Sequence, residues 1–270
     1  MRKPGLSFPV LSILAAVAPC IASAQPVLEF FPKTRIFPLF TADALAHQLS
    51  LSRVTDNREW IGDVGGSWPL AEVSVSGADF QGSVGATIFN RLLKTPGHIT
   101  VSTIDYKVDL PVDIRTPALS VRFGYGHISS HFADAGILIL GYHDISSVKD
   151  YLLLAASRDV PLLGGNAYAA VYDVYHHLPE PENRWMIQAG GTFGNIPLSA
   201  WATLYGAIDV KWKEEVSWGT TQSFQAGVRL FTREGRDLRV CYTLRRGFED
   251  RGQLYFVSTT ANLISLVIDV

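Results

Sequence analysis

The sequence places an unusual group of polar side chains in one short run, Tyr125-Gly126-His127-Ile128-Ser129-Ser130-His131-Phe132-Ala133-Asp134. In an extended chain, alternate residues share a face, so Tyr125, His127, Ser129 and His131 point the same way. A histidine two residues from a serine on one face approaches hydrogen-bonding distance, as a general base must to activate a hydroxyl. The candidate catalytic set is therefore Ser129 as nucleophile, His127 as base, and Asp134 or Asp144 as the acid orienting the imidazole. The plainer reading is a hydrogen-bonded structural turn, because polar groups leaving a strand need partners.

The other polar groups point less clearly to chemistry. His176-His177 and His143-Asp144 lie at ends of extended segments, but neither pair has a recognised ligand spacing, so no metal site and no cofactor is expected. Gly164-Gly165 and Gly190-Gly191 read as tight turns or close-packing positions, not phosphate cradles. Cys241 has no partner once Cys20 is removed with a leader, so no internal disulfide is expected.

The elements that must carry these residues are strands. From Val216 to Leu230 the chain alternates strictly: Val216, Trp218, Phe224, Val228 and Leu230 oppose Ser217, Thr221, Ser223, Gln225 and Arg229. Leu204, Ile208, Val210 and Trp212 likewise oppose Tyr205, Asp209 and Lys211, and Val240, Tyr242 and Leu244 oppose Arg239, Cys241, Thr243 and Arg245. Soluble sandwich strands usually run about 5–6 residues, whereas membrane-spanning strands need about 9–11. Alternating segments near 46–54, 82–91, 98–110, 117–129, 134–143, 149–158, 165–176, 183–193, 199–212, 215–231, 237–246 and 260–270 make about twelve strands, an even count suited to a bacterial barrel. Trp185, Trp201, Trp212 and Trp218 fall near strand ends, as an aromatic girdle requires.

Composition agrees. The chain is 47% hydrophobic and only 18% charged, and it contains 23 glycines. Its net charge of −2 argues against a nucleic-acid partner. Arg2 and Lys3, an apolar run from Leu6 to Ile21, and Ala22-Ser23-Ala24 form a signal peptide cleaved after residue 24. Residues 25–45, with Pro26, Pro32 and Pro38, cannot pair as a central strand and are expected to be a periplasmic or plug-like segment. The expected fold is thus an all-β, antiparallel transmembrane β-barrel over 46–270, exported to the bacterial outer membrane.

If the 117–129 strand is read straight through, His127 and Ser129 share a phase with Val121, Phe123 and Tyr125 and face outward. In this the His127-Ile128-Ser129 run resembles the His-x-Ser motif of the lipid A 3-O-deacylase barrels, and it implies a serine turned toward membrane lipid. A β-bulge, or a strand ending at Gly126, would return these side chains to the lumen or a loop.

Several features together resemble the domain of unknown function 1207 (DUF1207), a family of exported barrels. They are His127-x-Ser129-Ser130-His131 with an acid nearby, Ser157-Arg158, Ala207-Ile208-Asp209-Val210-Lys211 followed by Glu214-Glu215, Trp218, Gln225-Ala226-Gly227-Val228, and Gly252-Gln253-Leu254-Tyr255. Ala133-Asp134-Ala135 stands where the family pattern has Gly-Asp-Glu. The resemblance implies location and fold, and leaves activity open.

Two functions follow as expectations. The first is a non-enzymatic outer-membrane barrel with a structural, ligand-binding or small-solute role. Its polar lumen residues would be His131, Asp209, Lys211, Arg229 and Arg245, with Arg239 beside them. The second is an interfacial lipid esterase built on His127 and Ser129. Expected partners are outer-membrane lipid and the barrel-assembly machinery.

Overall fold

The computed structural model describes residues 26–57, 59–141, 147–179, 183–233 and 236–269. The leader (1–24), His143, Asp144 and Val270 lie outside the described residues.

The long alternating segments form strands because alternate side chains are largely apolar and their backbones find antiparallel neighbours. In chain order these are β1 (Val27–Phe30), β2 (Leu49–Val54), β3 (Glu59–Val75), β4 (Ala78–Thr95), β5 (His98–Arg115), β6 (Ser120–Phe132), β7 (Ser147–Val160), β8 (Gly165–Leu178), β9 (Trp185–Ser199), β10 (Ala202–Lys213), β11 (Gly219–Arg233), β12 (Arg236–Phe248) and β13 (Ser258–Ile268). A short helix, α1 (Asp134–Leu140), follows β6. Each strand from β2 to β13 pairs with the next, and β13 returns to β2, closing a twelve-stranded antiparallel barrel without a free edge.

The count of twelve expected from sequence is right, but two elements differ. The segment 134–143 is not a strand: its described part forms α1, since a short apolar run does not itself distinguish helix from strand. In its place stands β3, 17 residues long and hidden in the sequence by Gly65-Gly66 and Pro69. The pairing with β4 shifts register between Pro69 and Ala71, and no β1 or β2 residue pairs with Pro69 on the other edge, so its missing N–H costs no ladder bond there.

β1 and β2 lie on the same side of β3. Val27–Phe30 pair with Ser74–Ala71, and Ser50–Arg53 pair with Asp63–Trp60. The two are halves of one wall strand, and the chain between them, 31–48, is diverted inward. Its contacts cross the lumen. Gln81 of β4 donates to the Thr34 carbonyl at 2.8 Å, and Ser120 of β6 donates to the Ile36 carbonyl at 3.1 Å. Phe37, 1% exposed, packs among Tyr151, Leu153 and Tyr172 of β7 and β8, with the Arg122 guanidinium 4.4 Å from its ring centre. Ala42 packs against Tyr205, Ala207 and Cys241. His47 bonds Thr87 and Asp109 at 2.9 and 2.8 Å, and its ring fills space that a side chain at Gly85 would occupy.

The outer surface carries the other alternation phase. Leu152, Leu154, Ile187, Leu204, Phe224, Val240, Ile264 and Leu266 are exposed. Trp185, Trp201, Trp212 and Trp218 are exposed at or near strand ends, as expected for a girdle. The connections differ between the barrel's ends. At the end where β1 starts and β13 finishes they are short: 76–77, 116–119, 161–164 and 200–201. At the opposite end they include 133–146, 179–184, 214–218 and 249–257.

Candidate functional site

Two polar constellations lie on opposite faces of the wall. The first is outside. In β6, Ser120, Gly124, Gly126, Ser130 and Phe132 are buried, while Phe123 is exposed, so the strand continues its alternation through the polar run without a bulge. Tyr125, His127, Ser129 and His131 therefore share the outward phase of Phe123. Inward, Gly126 leaves room for the Tyr151 ring, whose hydroxyl donates to Asp109 at 2.5 Å; a Cβ at Gly126 would sit 2.2 Å from that ring.

Register assembles the outer site from three neighbouring strands. His127 stands opposite Asp150 of β7, and Asp150 stands opposite His176 of β8. The Asp150 carboxylate bonds His127 Nδ1 at 2.6 Å, His176 Nδ1 at 2.7 Å, and the Tyr125 hydroxyl at 3.0 Å. His176 reaches this position through a register shift between Asp150 and Tyr151, which leaves Tyr175 as the extra residue. Two residues from His127 along β6, Ser129 Oγ lies 2.8 Å from His131 Nε2. Tyr106 of β5 meets the His131 ring edge-on, with centroids 6.1 Å apart.

Three sequence expectations change here. The acid beside His127 is Asp150, whereas Asp134 opens α1 beyond the strand's end. The imidazole bonded to Ser129 is that of His131, not His127. His131, grouped with the lumen residues, points outward because it shares the phase of His127. Asp150 had a legible signal that was missed: it is a carboxylate in the same phase as the exposed Leu152 and Leu154 of β7. His176 had none, because the register shift that aims it is not written in the alternation.

The second constellation is luminal. Asp209, Lys211, Arg229, Arg239 and Arg245 all lie on the inner phase, as expected. Lys211, Asp209 and Arg239 are tied up by the protein itself, whereas Arg229 Nε and Arg245 Nε are buried without a hydrogen-bond partner among the described residues. Lys211 Nζ bonds Asp43 of the inner segment at 2.5 Å and Asp250 of the β12–β13 connection at 2.8 Å. Asp209 accepts from Tyr168 and Gln188, both at 2.6 Å. Arg239, 1% exposed, grips Asp269 through two bonds of 2.7 and 2.6 Å. Arg229 bonds Asn195 at 2.8 Å and lies over the Tyr205 ring. Cys241, placed on this face by the alternation, is buried beside Tyr205.

Acidic groups in the connections respond to this charge. Burial alone would push the Asp250 carboxyl up, but the Lys211 and Lys213 ammoniums outweigh it and hold the carboxyl well below its usual range. Burial likewise opposes ionisation of Glu215, and Lys149 and Lys213 bring it below the usual carboxylate range. Among the described residues no group of three or more His, Cys, Asp or Glu side chains is arranged to hold a metal ion.

No protein-family model matches the chain, and no curated protein matches it either. Among solved structures, a triple mutant of the Rh. blastica porin is similar at 7% identity, covering 90% of this chain and 100% of that one, with a TM-score of 0.32.

Proposed function

We propose that the chain is a bacterial outer-membrane barrel, closed by its own N-terminal segment, that works on its outer wall by hydrolysing ester-linked acyl chains of outer-leaflet lipid. The observation that carries this reading is the outward pair Ser129–His131 at 2.8 Å, next to a His127 imidazole fixed by Asp150. A hydroxyl bonded to an imidazole nitrogen, beside a carboxylate that binds two further imidazoles, concentrates nucleophile, base and acid types on one outer face, next to the exposed Phe123, Leu152 and Leu154.

The orientation favours the outer leaflet. Barrels of this kind have short periplasmic turns and longer extracellular loops. The end holding β1's start and β13's finish is then periplasmic, and β6 ends at Phe132 near the longer connections. Ser129 lies at that extracellular rim, where acyl esters meet the headgroup layer. A signal peptide over 1–24 and delivery by the assembly machinery belong to the same proposal.

In the reaction, Ser129 Oγ attacks the ester carbonyl carbon as its proton passes to His131 Nε2. Collapse of the tetrahedral adduct breaks the bond to the alcohol oxygen, which leaves with that proton. Water then attacks the acyl-serine, giving a proton to His131; the bond to Oγ breaks, Ser129 is reprotonated, and a carboxylic acid departs. Asp150 acts as a positioning residue, fixing His127 and His176 beside the reacting row.

The small-solute role has less support, since residues 31–48 cross the lumen and occupy its charged side chains. The test is mass spectrometry of lipid A and phospholipid from cells carrying the wild type, Ser129→Ala or His131→Gln. Acyl loss should fall by at least about 10³-fold in Ser129→Ala. Identical lipid profiles in all three strains would overturn the proposal.

A further inference from the structure

Behind the outer site, on the inner side of the same strands, a pocket opens toward the end with the longer connections. The space within it that admits water-sized groups is about 80 Å³, and it is open at its mouth. One wall is apolar, formed by Tyr172, Val174 and Met186. Elsewhere the lining carries lysine and arginine side chains held in ion pairs: Lys211 and Lys213 with Asp250, Lys149 with Glu215, Lys107 with Asp109 and Arg184 with Asp173.

His177 of β8 lies in this lining, 6% exposed, and neither ring nitrogen has a hydrogen-bond partner among the described residues. Leaving buried polar groups unbonded is costly, so an imidazole with two such nitrogens is matched to something that enters the pocket. Lys149 of β7 stands directly opposite His177 in register. Paired residues on adjacent strands share a face, which puts the ammonium and the imidazole side by side on the inner wall. An ammonium offers three donors. Lys149 directs one to Glu215 at 2.5 Å and lies 5.1 Å from the Tyr255 ring centre.

We infer that this vestibule is a binding site for a small amphipathic organic anion. Its carboxylate would be received by Lys149 and His177, and its apolar body would rest on Tyr172, Val174 and Met186. The lining fixes the class: Lys149, which keeps donors beyond its bond to Glu215, favours an anion, the unbonded imidazole asks for a hydrogen-bonding headgroup, and the apolar wall asks for a hydrophobic tail. The site stands apart from Ser129, which faces the other side of the wall.

The experiment is isothermal titration of the folded, detergent-solubilised barrel with phenylacetate as the probe and its neutral amide, phenylacetamide, as the control for partition into micelles. Saturable one-site binding of phenylacetate, with the amide at least tenfold weaker, is expected. Variants His177→Ala and Lys149→Met should each weaken phenylacetate binding by roughly tenfold or more, the loss of one charge-assisted or buried hydrogen bond. Glu215→Gln should tighten it roughly threefold, because a competing carboxylate is removed. Heat-modifiable gel mobility reports that each variant is folded; if one is not, the amide comparison and Glu215→Gln decide. Absence of saturable binding, equal binding of the amide, or wild-type affinity in folded His177→Ala and Lys149→Met would each overturn the inference.

Discussion

Lys211→Met tests whether the inner segment is latched by charge. Lys211 is 1% exposed and joins three parts of the molecule: its own strand β10, Asp43 of the inner segment, and Asp250 of the β12–β13 connection. Methionine fills nearly the same volume without the ammonium, so Asp43 and Asp250, whose side chains are only 4% and 3% exposed, lose their shared cation. Removing one partner of a buried ion pair typically costs about 3–5 kcal/mol, because a charge is left uncompensated. Lys213, 3.3 Å from Asp250, relieves part of that burden, which places the expectation near the lower end, about 3 kcal/mol at neutral pH. The effect must depend on pH with a definite sign. Asp250 has a folded-state carboxyl held below its unfolded value, so its contribution is present above the unfolded value, about 4, and is lost as pH falls through the folded one. In Lys211→Met that depression largely disappears, and the gap between the two proteins should narrow below about pH 4. Equilibrium urea unfolding of barrels in lipid vesicles, followed by tryptophan fluorescence at pH 7 and pH 3, measures both quantities. A change under 1 kcal/mol at pH 7, or an equal gap at the two pH values, would refute the reasoning.

Other expectations follow from the same packing. Phe37→Ala empties the apolar contact between the inner segment and β7–β8, and should cost about 3–5 kcal/mol in the same unfolding assay. In planar bilayers the wild-type barrel should give no steady open-channel current, because residues 31–48 cross the lumen; a persistent large conductance would show that the segment leaves. Cys241, 3% exposed, should resist maleimide in the folded barrel and label completely after denaturation. Labelling at equal rates in both states would place it elsewhere.

The wall was legible in the sequence because its rule is local. A strand facing lipid on one side and polar groups on the other must alternate, and the run expected from Val216 to Leu230 does so from Gly219 onward, its first three residues belonging to the turn before β11. The same rule put Asp209, Lys211, Arg229, Arg239 and Cys241 inside and His127 and Ser129 outside. It failed where alternation is interrupted or short. β3 contains Gly65-Gly66 and Pro69 and escaped notice, while the apolar run of α1 read as a strand.

What the alternation could not carry is which residues meet across strands. Asp150 is 23 residues from His127 in sequence, and His176 lies 26 beyond Asp150; only the register of β6, β7 and β8, with its shift at Tyr175, brings them to one carboxylate. The partner of Ser129 was likewise a matter of side-chain direction, decided between two histidines on one face. The inner segment shows the same division. Its prolines announced that residues 25–45 were no central strand, which fails for Val27–Phe30, paired with β3 as part of the wall; for the rest, the choice between lying outside the barrel and filling it depended on partners such as Lys107, Lys211 and Arg239, contributed by strands far along the chain. Local sequence determines which way a side chain faces; closure of the barrel determines what it finds there.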